Sequence, residues 1–361
     1  MFSKPDAAAV LKNKNVRASL ARYLNVMQND NSAKFTVAQN LAADFHTDDS
    51  LSELWKKHDQ LLLTYVHLEE KMDACLKSPK TSAEPSQSFL DLKIGIANRI
   101  LANCHFCARN CGVNRKEGKF GYCRCGAQIT VSTMFPHMGE EPELVPSGTI
   151  FTLGCTMRCR HCQNWTISQW QDSGEIYSPK RLARAVEYLR KKGCRNVNLV
   201  GGDPTPWLAQ WLETFKHVDV NVPVVWNSNS YYSPQTSKLL AGFADVYLLD
   251  FKYGNNECAK RISEAPNYWE TCTHNHSYGK KYGELLIRIL VLPGHLDCCV
   301  KPILEWTSKN LGPTTRTNVM FQYRPEWLAH EIPELRRRLT QSEKETAIKL
   351  AKELGLVNVI V

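Results

Sequence analysis

Leu54, Trp55, His58, Leu61, Leu62, Tyr65, Val66 and Leu68 recur at three- and four-residue steps along one stretch of the chain. Apolar positions at that spacing line one side of an α-helix. The pattern therefore predicts an amphipathic helix running to about Cys75 and packed on a larger body. Ser50-Leu51-Ser52-Glu53, just ahead of it, has capping-box spacing, in which hydroxyl and carboxylate each satisfy a free backbone N–H. Residues 1–76 as a whole read as helices. The polar run Pro79 to Ser86 breaks the periodicity and predicts a linker, after which Phe89–Leu101 is helical again. Cys104 to Cys125 is loop-like, with five cysteines in 22 positions.

From Gly148 the texture changes. Apolar, β-branched runs at Thr149–Leu153, Asn196–Val200, Val222–Trp226, Val246–Leu249, Leu285–Leu292 and Asn318–Phe321 predict strands. Helical patterns fill several of the gaps, clearest at Pro179–Lys192 with Leu182, Ala185, Val186 and Leu189. Strand–helix alternation predicts a parallel sheet, and six units in about 210 residues fit an α/β partial (β/α)6 barrel better than a closed eight-fold one. A last helix is expected over Ser342–Leu354, before the short apolar end Val357–Val361. The expected organisation is a helical N-terminal segment (1–78), a linker (79–88), a cysteine-rich metal-binding loop region (89–147) and the barrel (148–361).

Composition adds one surprise. Of 361 residues 43% are hydrophobic and 22% charged, ordinary for a globular chain large enough to fold without disulfides. Fourteen cysteines are not ordinary. The start, MFSKPDAAAVLKNKN, lacks the apolar run of a signal peptide, and no stretch approaches the ~20 apolar residues of a membrane span. The expectation is a cytoplasmic chain without a membrane partner, its cysteines serving metal or redox chemistry instead of disulfides. The net charge of +9 suits an acidic partner, nucleic acid or an electron carrier. With no dense basic block beyond Arg336–Arg338, a solvated basic surface is the plainer reading.

In parallel barrels the ligand site lies at the carboxyl ends of the strands. The chemically informative residues stand there: Cys155 after the first run, Gly201-Gly202-Asp203 after the second, Asn227 after the third, Asp250 to Lys252 after the fourth, and Pro293-Gly294 after the fifth. Cys155, Cys159 and Cys162 form C-x3-C-x2-C, whose thiolates can wrap one face of an iron–sulfur cube. A closed [4Fe–4S] site takes four cysteines; three leave one iron open to a substrate, the logic of a catalytic metal site. A zinc knuckle or three unligated thiols is the competing reading. Gly201-Gly202 allow close approach of backbone to ligand, or make a plain turn. Arg288, inside an apolar strand, must be paired.

A second group, Cys104, Cys107, Cys111 and Cys123, reads C-x2-C-x3-C-x11-C, with Cys125 as an alternative fourth ligand. Structural zinc and an accessory Fe–S cluster are both open for it, as are unligated or regulatory thiols. Gly112, Gly118 and Gly121 supply the turns of a wrapped site. His137, Glu140 and Glu141 are either acid–base groups or a polar turn before Pro142. Cys272-Thr273-His274-Asn275-His276 has ligand-like chemistry but is expected on a solvated loop. The adjacent Cys298 and Cys299, with Cys75, Cys194 and Cys258, read as plain core or surface thiols.

The loop Gly154-Cys155-Thr156-Met157-Arg158-Cys159-Arg160-His161-Cys162 resembles that of the radical S-adenosylmethionine (SAM) superfamily. There the open iron chelates the amino and carboxylate groups of SAM, and an electron breaks a carbon–sulfur bond to give methionine and a hydrogen-abstracting 5′-deoxyadenosyl radical. The resemblance implies a [4Fe–4S] cluster on Cys155, Cys159 and Cys162 as the catalytic centre, with SAM as cofactor. His161 holds the usually aromatic position near the adenine. Gly201-Gly202-Asp203 is similar to a Gly-Gly-Glu motif that receives the SAM ammonium, with a shorter acid. By similarity to activating enzymes, Asn227 would meet the ribose and Lys252, beside Asp250, the SAM carboxylate, with Arg288 reaching the site. A Lys–Asp surface pair is the plain alternative for those two.

More narrowly, residues 90–361 resemble PflX-type proteins, which are similar to pyruvate formate-lyase activating enzymes. The shared features include Cys104 to Arg115, Gly121-Tyr122-Cys123, His137 to Pro142, Cys162-Gln163-Asn164, Ile167-Ser168-Gln169, Val225-Trp226-Asn227, Asp250-Phe251-Lys252-Tyr253, Leu290 to Gly294 and Gln322-Tyr323. The Gly-Gly-Asp segment and Ile289, where a His is usual, depart from the group. The first ~90 residues have no counterpart in it. The resemblance implies a radical SAM oxidoreductase fed by a low-potential donor, flavodoxin or ferredoxin-like, acting on a protein substrate as a glycyl-radical activase does. Radical modification of RNA or a small metabolite is the alternative, with only the charge behind it; a non-catalytic metal-binding scaffold is another.

Overall fold

Every residue of Val224–Ser228 is buried, and so is nearly every residue of the runs around Thr149–Leu153, Asn196–Val200 and Val246–Leu249, as expected of strands covered on both faces. In the computed structural model, which describes residues 5–74 and 85–361, they belong to one sheet. Its strands are β1 (Thr130–His137), β2 (Ser147–Thr152), β3 (Glu175–Ile176), β4 (Asn196–Gly201), β5 (Val224–Ser228), β6 (Val246–Asp250), β7 (Glu284–Leu290), β8 (Arg316–Met320) and β9 (Val359–Ile360), in the order β3-β1-β2-β4-β5-β6-β7-β8-β9. The pairs from β2 to β9 are all parallel, which gives a partial barrel of six strands extended by the short β9. Each of the six lies within two residues of a predicted run. The antiparallel strand β1, second from the edge of the sheet, escapes the sequence pattern because it is half-buried or exposed along most of its length and mixes polar with apolar positions.

The helix Leu51–Ala74 starts at the expected capping box: Glu53 N donates to Ser50 Oγ (3.3 Å) and Ser50 N to Glu53 Oε2 (2.8 Å). A second box, Ser88 with Asp91, opens the helix Phe89–Ala102. Cys75 and linker residues 79–84 lie outside the described residues. The expected helices at 179–192 and 342–354 are found as Pro179–Lys191 and Gln341–Glu353.

The N-terminal helices share their core with the barrel. Phe35, Leu62 and Tyr65 pack in one cluster with Phe89, Trp211 and Leu240. Val16, Leu20, Tyr23 and Leu24 pack against Val225, Val246, Leu248 and Leu286 from three adjacent barrel strands. Glu284, at the start of β7, accepts from Arg22 N and Tyr23 N (2.7 Å each), two of the free N–H groups that open the helix Ala21–Gln28.

One expectation is corrected. Cys272 to His276 is no solvated loop; it lies mid-helix in Tyr268–Tyr282, with Cys272, Asn275 and His276 buried. Their polarity masks the helical step Tyr268, Cys272, Asn275, Gly279. Most of their polar atoms find partners in place, although His276 Nε2 has none among the described residues. Asn275 Nδ2 donates to Ser230 O and Tyr232 O (2.8 Å each), and the His276 ring stacks on Phe251.

Candidate active site

Cys155, Cys159 and Cys162 stand on the loop that follows β2, and its backbone is tied down on three sides. Gly154 N donates to Ile167 O (3.0 Å), while Arg158 N and Arg160 N donate to Ser263 O (3.1 Å) and Ile262 O (2.9 Å) at the end of the helix Asn256–Ser263. Cys155 Sγ accepts from Met157 N and from Asn229 Nδ2, both at 3.4 Å, and Cys162 Sγ lies 3.3 Å from Ser168 Oγ. Burial pushes all three thiols up, Cys159 to about 11, where Lys252 opposes the shift.

The glycines after β4 are dictated by crowding. A Cβ on Gly202 would collide with Gly154 O, and Gly201, at φ +149°, packs against Thr152. Gly202 N and Asp203 N donate to Thr152 O (2.9 Å) and Gly154 O (3.0 Å), so this segment supports the cysteine loop directly. The Asp203 carboxylate is buried and already engaged: Oδ1 accepts from Thr205 N (2.9 Å), Oδ2 from Ser228 Oγ (3.0 Å) and Asn229 N (2.9 Å). As built, Asp203 positions the β5 end. That end carries Asn229, which sequence reasoning missed, although it stands two residues beyond Asn227 on the same strand end.

After β6, Lys252 Nζ meets Asp250 Oδ2 at 2.6 Å. Burial works against the Lys252 charge, but Asp250 and the thiols of Cys159 and Cys162 more than offset it and raise its pKa. His161 is buried, its Nε2 3.0 Å from the Tyr253 hydroxyl and its ring edge-on to Tyr323. Burial and Lys252 push it down to about 3, so the ring is neutral. Asn227 Oδ1 accepts from Arg288 Nη1 at 3.3 Å. Arg288 is paired as its setting requires: Nε and Nη2 donate to Glu141 (2.7 and 2.6 Å), and Nη2 also meets Glu140. Despite burial, Arg288 and His137 hold Glu140 down at about 2. Glu140 and Glu141 are thus buried carboxylates held against a guanidinium where the turn Glu141–Leu144 begins (Leu144 N donates to Glu141 O, 2.9 Å), and not a free acid–base pair.

The cysteine-rich segment packs against this loop. Trp170 Nε1 donates to Cys123 O (2.9 Å), and the buried Cys125 leaves no room for a Cβ on Gly154. The Tyr122 ring lies between the guanidiniums of Arg109 (3.5 Å) and Arg158 (4.4 Å), joining the two cysteine groups. Cys104 and Cys111 are hydrogen-bonded thiols, and Cys107 feels both Cys123 and Cys111. Buried beside them is Arg115, which donates to Gly126 O (2.6 Å), to Pro206 O (2.6 Å) and to Cys104 Sγ (3.9 Å). Among the described residues no carboxylate pairs with it.

These donor sets suit soft metal centres. Burial keeps the Cys155, Cys159 and Cys162 thiols protonated until a metal takes the proton's place. Cys155, Cys159 and Cys162 have N–H and O–H donors and the Lys252 cation arranged for negative sulfur. A buried guanidinium without a carboxylate calls for the same in the Cys104 group.

The model of the Radical SAM superfamily matches residues 149–307, which span β2 to the helix after β7. An uncharacterized protein of Methanocaldococcus jannaschii is 44% identical over 343 residues, covering 93% of this chain and 98% of its own. A second uncharacterized protein of that organism is 25% identical over 252 residues, 64% of this chain and 73% of its own. Among solved structures, that of HydG, a maturase of the [FeFe]-hydrogenase, aligns with 98% of this chain at a TM-score of 0.41 and 10% identity; the chain spans 64% of HydG.

Proposed function

This chain belongs to the radical SAM superfamily, and from that premise we propose that Cys155, Cys159 and Cys162 hold its [4Fe–4S] cluster and that SAM binds at the adjoining strand ends. When bound, the cluster and SAM together supply the electron and the 5′-deoxyadenosyl radical of the superfamily's chemistry. The chain's own residues have simpler tasks. Asn229 and the Met157 N–H steady the sulfur of Cys155 by hydrogen bonding. Lys252, cationic and pinned by Asp250, is the group in this reading that meets the carboxylate of SAM. Gly201 and Gly202 let this strand end close on Thr152 and Gly154 beside the cysteine loop, and Asp203 fixes the loop that presents Asn227 toward the ribose.

The observation that carries the reading is the loop after β2. Two buried thiols and a half-buried one sit at a strand end of a parallel barrel, beside a half-buried lysine whose pKa Asp250 and the thiols of Cys159 and Cys162 raise. A low-potential reductant is required, and a protein substrate, modified as a glycyl-radical activase would, fits the motifs shared with activating enzymes. Cys104, Cys107, Cys111 and Cys123 hold a second metal, zinc or an accessory cluster, a reading supported by the carboxylate-free Arg115 beside them.

Anaerobically reconstituted protein, reduced with SAM present, is expected to release 5′-deoxyadenosine and to show the absorption of a thiolate-bound Fe–S cluster. Each of Cys155→Ala, Cys159→Ala and Cys162→Ala abolishes the nucleoside release and removes this cluster's share of the absorption. Nucleoside release from any one of the three variants would overturn the assignment.

A further inference from the structure

Three cysteines that sequence reasoning leaves as plain thiols meet at one point of the structure. Cys258 is near the start of the helix Asn256–Ser263, and Cys298 and Cys299 lie on the π-helical turn Leu296–Val300 that follows β7. Cys298 Sγ lies 3.9 Å from Cys258 Sγ and 3.9 Å from Cys299 Sγ, and the Cys299 thiol is hydrogen-bonded to Cys258. Three thiolates on one tetrahedral ion with Zn–S bonds of about 2.3 Å stand about 3.8 Å apart. The observed edges match that spacing; a disulfide needs about 2.05 Å.

A fourth donor stands beside two of these sulfurs. His295, buried, has a ring nitrogen within 4.8 Å of both Cys258 Sγ and Cys298 Sγ. Its Nδ1 is 2.9 Å from Pro293 O, a carbonyl that can only accept, so the proton sits on Nδ1 and the Nε2 lone pair is left for a ligand. Arg261, half-exposed, donates to Nε2 at 3.3 Å and to Glu334 at 2.5 Å, and it can swing aside while keeping its carboxylate. The backbone is built for the approach. Asn255 Nδ2 donates to Cys298 O (2.8 Å) and to Cys258 Sγ (3.4 Å), and a Cβ on Gly254 would press on Cys298 O and Cys299 O. Short π-helical turns of this kind are frequent at functional sites.

We propose that Cys258, Cys298, Cys299 and His295 bind one divalent cation of the zinc class, as a Cys3His site. Each thiol gives its proton to solvent as its sulfur takes the metal, and the ion joins the helix Asn256–Ser263 to the turn after β7. The loop that leads from β6 into that helix carries Lys252 and Tyr253, so the ion braces the segment against which His161 rests. The site shares no ligand with the two cysteine groups described above, and it does not depend on SAM chemistry.

The test uses the full-length protein, isolated without oxygen and freed of weakly held metal. Iodoacetamide labelling read by peptide mass spectrometry follows the half-exposed Cys258 and Cys298 in the unaltered chain. Zinc is expected to slow the labelling of both by more than tenfold, and a chelator to restore it. With cobalt as probe, Cys258→Ser, Cys298→Ser and His295→Ala should each lose one equivalent of cobalt and its share of the sulfur-to-cobalt absorption. Iron and sulfide should stay unchanged, and Cys194→Ser, remote from the site, should lose no cobalt. Labelling rates that ignore zinc, or air oxidation in the presence of zinc to a Cys258–Cys298 disulfide, would overturn the proposal.

Discussion

Asn229 Nδ2 reaches across 3.4 Å to the sulfur of Cys155, joining the end of β5 to the cysteine loop at the end of β2. The same amide holds Thr156 Oγ1 at 2.9 Å, and its backbone N–H is fixed by Asp203. An N–H donor on a cluster cysteine stabilises the extra negative charge of the reduced state, so it raises the reduction potential. Asn229→Ala is expected to retain iron and sulfide but to lower the potential by about 20–60 mV, taking ~0.5–1.5 kcal/mol for the lost bond and ~59 mV per tenfold for one electron. A redox titration followed by electron paramagnetic resonance checks this; an unmoved potential would remove Asn229 from the site.

Asp203→Ala leaves two N–H groups and the Ser228 hydroxyl without their acceptor. Because the β5 end then loses its brace, SAM affinity should fall roughly ten- to hundred-fold, the worth of ~1.5–3 kcal/mol for charge-assisted bonds, with cluster iron retained. Equilibrium dialysis with labelled SAM is the measurement. Unchanged affinity would make Gly201-Gly202-Asp203 a turn and nothing more.

Arg288→Ala should act on stability first. It strands the buried Glu140 and Glu141, and breaking a buried pair in this way costs about 3–5 kcal/mol. The melting temperature should drop, and adding Glu141→Gln to the variant should recover part of the loss. A variant as stable as the parent would show that the guanidinium is free to serve a ligand.

Glu284 gives the N-terminal helices a pH signature. Burial raises its carboxyl from the ordinary 4.5 to about 7, even though Tyr23 N, Arg22 N and the Arg22 and Lys34 charges pull it down. The folded chain therefore holds this proton more tightly than the unfolded one. The contribution is fully present below pH 4.5 and is lost as pH rises through about 7, an upper bound of ~3 kcal/mol. The stability of the parent relative to Glu284→Gln should fall across that window in denaturant titrations at several pH values. A flat difference would refute the shift.

Whether the Cys104 group holds a metal is countable in a chain lacking Cys155, Cys159 and Cys162. The difference on further changing Cys104 and Cys107 to alanine should be about one zinc for a structural clamp, or about four irons with sulfide for an accessory cluster. A difference of zero for both metals would mean that these cysteines are not a site.

The barrel was legible in the sequence because a parallel strand buried on both faces must be a continuous apolar run, and six such runs stand within two residues of the strands β2 and β4 to β8. The cysteine loop was legible because its ligands are neighbours in the chain, where spacing alone encodes geometry. Capping did the same for Ser50 and Glu53. Tertiary structure decided whatever depends on residues far apart in sequence. Arg288 finds Glu141 across 147 positions, Asn229 finds Cys155 across 74, and Cys258 finds Cys298 across 40. Burial decided the rest: Cys272 and Asn275 look like loop residues until a packed helix supplies partners for their polar atoms, and His276 until its ring stacks on Phe251. Local periodicity and spacing fix elements and nearby ligands, whereas the company a polar side chain keeps is set by how those elements close on one another.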